Sequence, residues 1–181
     1  MPALSPSPAD VVAFWRDAGP AKWFRKDDAF DREFTQRFLP AHEAAARGEL
    51  DDWARSPDGV LALCILLDQF PRNAFRGTAR MFATDAKARE VARAAVEAGW
   101  DRHVEPPLRQ FLHLPFMHSE RLEDQERCVQ LASGDEESRR WALHHRDIIR
   151  RFGRFPHRNA LLGRESTPEE MRFLAEGGFS G

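Results

Sequence analysis

The chain has no tyrosine, only two cysteines and three lysines in 181 residues, and no long hydrophobic run. Each shortage excludes something. Strands favour aromatic and β-branched residues in alternation, yet valine and isoleucine here never alternate with polar residues over a useful length, so a sheet is not expected. The longest apolar run, Val60–Leu67 (VLALCILL), lies between Asp58 and Asp68 and is far too short to span a bilayer. It reads as a buried helix. The opening MPALSPSPAD carries neither a basic start nor an apolar stretch, so no secretory signal is read there. Cys64 and Cys128 have no metal-ligand spacing and read as small core thiols, which points to a reducing, cytoplasmic setting. A net charge of −2 provides no basic field for nucleic acid or an anionic membrane, and neither partner is expected. GxSxG, P-loop and GxGxxG motifs are all missing, and no cofactor is called for.

Helix punctuation is plentiful. At 181 residues the chain is read as a single all-α domain, 1–181, of about eight helices in antiparallel hairpins. Ser7-Pro8 opens a first helix with Val11, Val12, Phe14 and Trp15 apolar, and Gly19-Pro20 stops it. Asp27 or Asp28 opens a second, with Phe30, Phe34 and Phe38 on one face, a bend expected at Pro40 and an end before Gly48. A third starts at Ser56-Pro57 and is expected to end near Phe70-Pro71. Thr84-Asp85 is expected to cap a fourth that stops at Gly99. Another runs from Pro106-Pro107 to a break at Pro115. The rest are a helix from about Glu120 to Leu131, a long one from Asp135 to Phe152 with Trp141, Leu143, Ile148, Ile149 and Phe152 apolar, and a last one from Thr167-Pro168 with an acidic first turn.

One pattern occurs twice. LLDQFPRNAFRGTARMFATD contains Phe70, Pro71, Arg72, Asn73 and Gly77. RRFGRFPHRNALLGREST contains Phe155, Pro156, His157, Arg158, Asn159 and Gly163. In both copies a glycine stands four residues after the asparagine, and Thr84 or Thr167 follows as a candidate cap. The plain physical account is a repeated helix exit. Proline ends the helix, phenylalanine plugs the core, glycine allows a turn, and Arg and Asn bond the orphan carbonyls. The functional account brings the two exits together as a donor-rich cleft. Arg72, Arg76, Arg154 and Arg158 would bind an anion there, because a guanidinium fork matches carboxylate or phosphate. Asn73, His157 and Asn159 would orient the anion, with Asp68, Gln69 and Ser119 behind them. Asp68, at the C-terminal end of an apolar helix, needs a cation, and an exit arginine is the expected partner. With 24 arginines in the chain, however, arginine counts must be discounted before they are read as function.

HLPFMHSE holds His118 and Glu120, the candidates for acid and base or for polarising a water. A metal site there is not favoured, because further ligands at diagnostic spacing are missing. The HxE of zinc deaminases appears without their cysteine pair. The plainer account has Ser119 capping the next helix, with Glu120 in its first turn. HHRD (144–147) matches a kinase catalytic loop only superficially, since no glycine-rich loop or DFG accompanies it. Helical spacing puts His144 with Ile148 and His145 with Ile149, so one of these histidines should be partly buried and hydrogen-bonded. Eight arginines lie between Arg139 and Glu165. They are expected to be consumed by internal acids such as those of ELDD (49–52) and ERLEDQE (120–126), rather than to meet nucleic acid.

LDQFPRNAFRGTARMFATD, FLHLPFMHSERLEDQE and HRDIIRRFGRFPHRNALLGRESTPEEMRFL resemble the bacterial family called domain of unknown function 924. FWRDAGPAKWFRKDDAFD and GELDDWARSPDGVLALCILLDQFPRN fit its N-terminal portion, so the resemblance spans almost the whole chain. It implies an all-α, tetratricopeptide-repeat-like fold and implies no activity. Three functions therefore stand as expectations. The leading one is binding of an anionic small molecule or carboxylate-bearing peptide in an Arg/Asn/His-lined cleft. The others are a hydrolase or transferase in that cleft using His118 and Glu120, and a protein-interaction module on a concave helical surface.

Overall fold

The computed structural model describes residues 6–181. Residues 1–5, part of the stretch read above for its lack of a secretory signal, lie outside the described residues. Every regular element among the described residues is helical. The order is α1 (Pro8–Ala18), α2 (Pro20–Trp23), α3 (Asp28–Ala46), α4 (Pro57–Cys64), a π turn (Ile65–Gln69), α5 (Phe70–Ala74), α6 (Asp85–Glu97), α7 (Pro106–Met117), α8 (Leu122–Leu131), α9 (Glu136–Phe152) and α10 (Pro168–Ala175), with short 3₁₀ turns between. None of these helices is long and apolar enough to cross a membrane. The chain divides into two compact units. One holds the residues up to Arg76 with Arg80–Pro115, and the other holds Gly77–Ala79 with Phe116–Gly181.

The first unit is built on aromatic rings. In α1 the apolar stripe buries Val11, Val12, Phe14 and Trp15, and the Ser7 cap works as read. Its hydroxyl accepts from the Asp10 N–H at 3.3 Å, and the Asp10 carboxylate accepts from the Ser7 N–H at 2.7 Å. Asp27 caps α3, and Phe30, Phe34 and Phe38 are buried together on one face, as their spacing predicts. Pro40 lies inside α3, which runs on to Ala46. Phe14 stacks on Phe30 at 5.3 Å, and Trp15 meets Phe111 edge-on at 5.3 Å. Helix α1 packs on α4, α3 on α5 and the π turn, and α4 on α6.

In the second unit α8 and α9 pack on each other across the short Ala132–Asp135 connection, as an antiparallel hairpin. The Asp135 carboxylate accepts the Ser138 N–H at 2.8 Å and opens α9, and Gly153, at φ 71°, closes it. Ile148, Ile149 and Phe155 form the core, with Phe152, Phe173 and Phe179 against them. Trp141 stays 44% exposed despite its place in the apolar pattern. In α10, Thr167 and Glu170 form a reciprocal capping box.

Three expected boundaries differ. The third helix does not end at Phe70-Pro71 but passes through the π turn and continues to Ala74. Helix α7 is not broken at Pro115 and continues to Met117. Just beyond, the Gln125 side-chain amide donates to the carbonyls of Met117 at 2.7 Å and Ser119 at 2.6 Å. Helix α8 begins at Leu122, so Glu120 stands before it and not in its first turn.

Candidate functional site

The first exit begins with a backbone problem. Pro71 has no N–H. In an α pattern it would leave the Leu67 carbonyl without its donor, and in a π pattern the Leu66 carbonyl. The chain adopts the π pattern, with the Phe70 N–H donating to Ile65 O. Side chains reach both the Leu66 carbonyl, orphaned in that pattern, and its neighbour Leu67. His42 Nδ1–H donates to Leu66 O at 2.8 Å, and the Thr84 hydroxyl donates to Leu67 O at 2.5 Å. Thr84 is therefore not the side-chain cap of α6 that its position suggests.

Asp68 is fully buried. It accepts from Gln69 Nε2 at 2.7 Å and lies 3.4 Å from Arg72 Nη1, the exit-arginine pairing expected from the sequence. The fork of Arg72 is turned onto Asp85, with contacts of 2.8 and 3.0 Å. Asn73 donates to Asp31 at 2.7 Å, and Arg76 holds the other oxygen of that carboxylate at 2.9 Å.

The second exit lies in the other unit and is built differently. Gly153 has already closed α9, so Pro156 opens a 3₁₀ turn and ends no helix. Phe155, like Phe70, is buried as the expected plug, and Gly163 and Gly77 have φ of 65° and 78°, values that favour glycine. Arg158, 7% exposed, lies 4.7 Å from the centre of the Phe155 ring and donates to the His118 carbonyl at 2.9 Å. Asn159 donates to Ser166 Oγ at 3.1 Å and to Glu170 at 3.2 Å. Arg154 grips Glu170 through both oxygens at 2.7 and 2.8 Å. The Arg154 hydrogen bonds hold the Glu170 carboxyl at about 2, against the upward push of burial. His157 packs against Phe155 and Phe179.

Glu120 accepts both ends of the Arg164 fork, at 2.8 and 2.9 Å, and the Phe155 N–H at 2.8 Å. Burial pushes its carboxyl upward, but the Arg164 bonds and the Phe155 N–H prevail and hold it below its ordinary value. A carboxylate held this way is ionised at neutral pH and a poor proton acceptor, which argues against it as the base of a hydrolase. Ser119 does not cap α8. Its hydroxyl donates to Asp124 at 2.7 Å and accepts the Arg121 N–H at 3.2 Å. Of the histidine pair, His145 is the buried member, with Nδ1–H donating to Trp141 O at 2.9 Å, and His144 is exposed. Among the described residues, no group of three or more His, Cys, Asp and Glu is placed to hold a metal ion.

The arginines between Arg139 and Glu165 do meet internal acids. Arg150 reaches Glu126, and Arg151 reaches Glu169. The acids of ELDD take other cations instead: Glu49 pairs with Arg47, Asp51 with Lys87 and Asp52 with Arg55. The residues of these networks that the sequence did not mark as site residues are Asp31, Asp85, Glu170 and Arg164. Three of these are first-turn acids of α3, α6 and α10. That position was a usable signal, because a carboxylate there is favoured by the helix dipole and attracts arginine as well. The signal for Arg164 was its place directly after Gly163 in the second exit.

The regular elements of the described residues are all helical, and a cluster of arginine–carboxylate forks lies around the second exit. Residues 11–178 match the family described as bacterial protein of unknown function (DUF924), and the chain belongs to that family. A solved structure of a protein of unknown function from Agrobacterium tumefaciens is 53% identical, covers 94% of this chain and 97% of its own, and superposes with a TM-score of 0.92. No curated protein matches the chain.

Proposed function

We propose that the protein binds a carboxylate-bearing small molecule or peptide at the arginine cluster of the second unit. Arg164 is the principal grip, with Arg154, Arg158, Asn159 and His157 around it. The reading rests on the Arg164–Glu120 pair. Its fork is bidentate, its side chains are 24% and 26% exposed, and its carboxylate lies outside any helix. An incoming carboxylate would take the place of Glu120, which returns to water, so one fork-held anion replaces another. Asp85 and Asp31 instead occupy first turns of helices in the first unit. Displacing them from Arg72, Arg76 and Asn73 would cost a helix start, so those residues serve here as frame, with Asp68 and Gln69 behind them.

The test is a thermal-shift screen of mono-, di- and tricarboxylates and of short peptides with free C-termini, followed by calorimetry on any hit. Losing a charge-assisted fork costs about 1.5–3 kcal/mol, so Arg164→Ala should weaken a genuine ligand roughly ten- to hundredfold. Arg47→Ala, which removes an exposed pair with Glu49, should leave binding unchanged. A screen without a stabilising compound, or an Arg164→Ala variant that binds a hit as tightly as the wild type, refutes the reading.

A further inference from the structure

The last residues of the chain pack onto a group of imidazoles. After α10 the Gly178 N–H donates to Phe173 O at 2.8 Å, and beyond it the Phe179 side chain packs onto the core of the unit. The Phe179 ring lies 5.6 Å from His144, 4.7 Å from His145 and 5.1 Å from His157, all edge-on, and 6.4 Å from Phe155. Gly177 has φ 82°, and a Cβ on Gly178 would lie 2.4 Å from the Phe173 carbonyl oxygen, so the two glycines form a hinge that side chains would disturb. We propose that Gly177–Gly181 is a latch opened by a proton: Phe179 is seated among three histidines, and protonation of that seat at mildly acidic pH releases the segment.

The physical basis is what the seated ring does to His145. With Phe179 in place the imidazole is 6% exposed, and its Nδ1–H is committed to Trp141 O. The charged groups acting on it are His118 before α8, His144 on its own helix and His157 in the second exit. Each of these opposes a charge on His145 once it is itself protonated. Burial is the largest effect and brings the His145 imidazolium down to about 3. Lifting Phe179 admits water to the ring and restores a proton affinity near the ordinary value of about 6.5. The released state therefore binds the proton and the seated state does not, so acid favours release. Release also uncovers apolar surface at Ile148, Ile149 and Phe155, against which Phe179 packs. The latch stands independently of carboxylate binding at Arg164.

The test places 4-fluorophenylalanine at position 179 alone in the full chain and follows its ¹⁹F signal from pH 7.5 to 5, with far-UV circular dichroism in parallel. Gly178→Ala supplies the released reference signal. The seated-to-released ratio should fall by up to about tenfold for each pH unit below 6.5 while the helical signal holds. His145→Gln should flatten that response. A signal that does not respond to pH, a response unchanged in His145→Gln, or loss of the helical signal in the same step as the ¹⁹F change would each overturn the proposal.

Discussion

The Thr84 hydroxyl offers a clean perturbation of the fold. It donates to Leu67 O at 2.5 Å, the carbonyl that an α-helical N–H at position 71 would have met. Thr84→Val keeps the side-chain shape and removes the donor. It touches no cap, since the Thr84 side chain makes no capping bond to α6. Leu67 is fully buried, so the substitution takes a hydrogen bond from a desolvated carbonyl, at a cost of about 1–3 kcal/mol. For a chain of this size that corresponds to a fall in Tm of roughly 2–10 °C. Thr84→Ser keeps the hydroxyl and should cost much less. Pro71→Ala supplies an N–H and lets the helix return to the α pattern, where that N–H meets Leu67 O, so Thr84→Val should cost less in that background than in the wild type. Urea unfolding of the wild type, the three single variants and the Pro71→Ala/Thr84→Val double mutant measures this coupling. Thr84→Val within about 0.5 kcal/mol of wild type, or strictly additive costs in the cycle, would refute the account of how the helix passes through Pro71.

Gly59→Ala would place a methyl 1.8 Å from the Trp53 carbonyl oxygen. Backbone would have to move, so a loss of at least about 1–3 kcal/mol is expected, read as a lowered urea midpoint or a loss of soluble protein. Cys64 and Cys128 are buried, and burial pushes the Cys128 thiol up to about 12 and Cys64 further in the same direction. Neither should react with a thiol reagent at pH 7 in the folded protein, and both should react in denaturant. Glu170 is held at about 2 against an ordinary 4.5, chiefly by Arg154. Its contribution is full above pH 4.5 and is lost as pH falls toward 2, so Glu170→Gln should be less stable at pH 6 and lose less of its stability across that acid window. Urea midpoints at pH 6, 4 and 3 check the sign.

Helix starts were legible because each is a local event. Ser7-Pro8, Asp27, Asp135 and Thr167-Pro168 satisfy orphan N–H groups within three residues, and periodic apolar residues mark the buried face. The prolines were not legible in the same way. Whether Pro71 ends a helix depends on finding donors for two carbonyls, and these come from His42 and Thr84, remote in sequence. The arginines were visible as a set, and two of their partners lie in ERLEDQE as expected, Glu126 for Arg150 and Glu120 for Arg164, but the other pairings were not legible, because tertiary placement decides which carboxylate a long side chain reaches. ELDD and the run from Arg139 to Glu165 look complementary in sequence, yet each takes partners elsewhere.

The repeated FP(H)RN pattern conceals two different backbones and one shared task. In the first copy the proline sits in a helix that continues, and in the second it opens a 3₁₀ turn after the helix has closed. In both, the motif asparagine donates to a first-turn carboxylate of another helix, and an arginine holds the same carboxylate. The sets are Asn73 and Arg76 on Asp31 of α3, and Asn159 and Arg154 on Glu170 of α10. An ionised acid at that position complements the helix dipole, so each copy works as a clamp on a helix start. This accounts for most of the donors around the two exits without invoking a ligand. Arg164 is the exception. It supports the second clamp by donating to Asn159 Oδ1 at 2.9 Å, but its fork is spent on Glu120, a partly exposed carboxylate in a turn. Exchange at that fork leaves both clamped helix starts intact, which is why the search for a ligand belongs at Arg164 and not at the motif arginines.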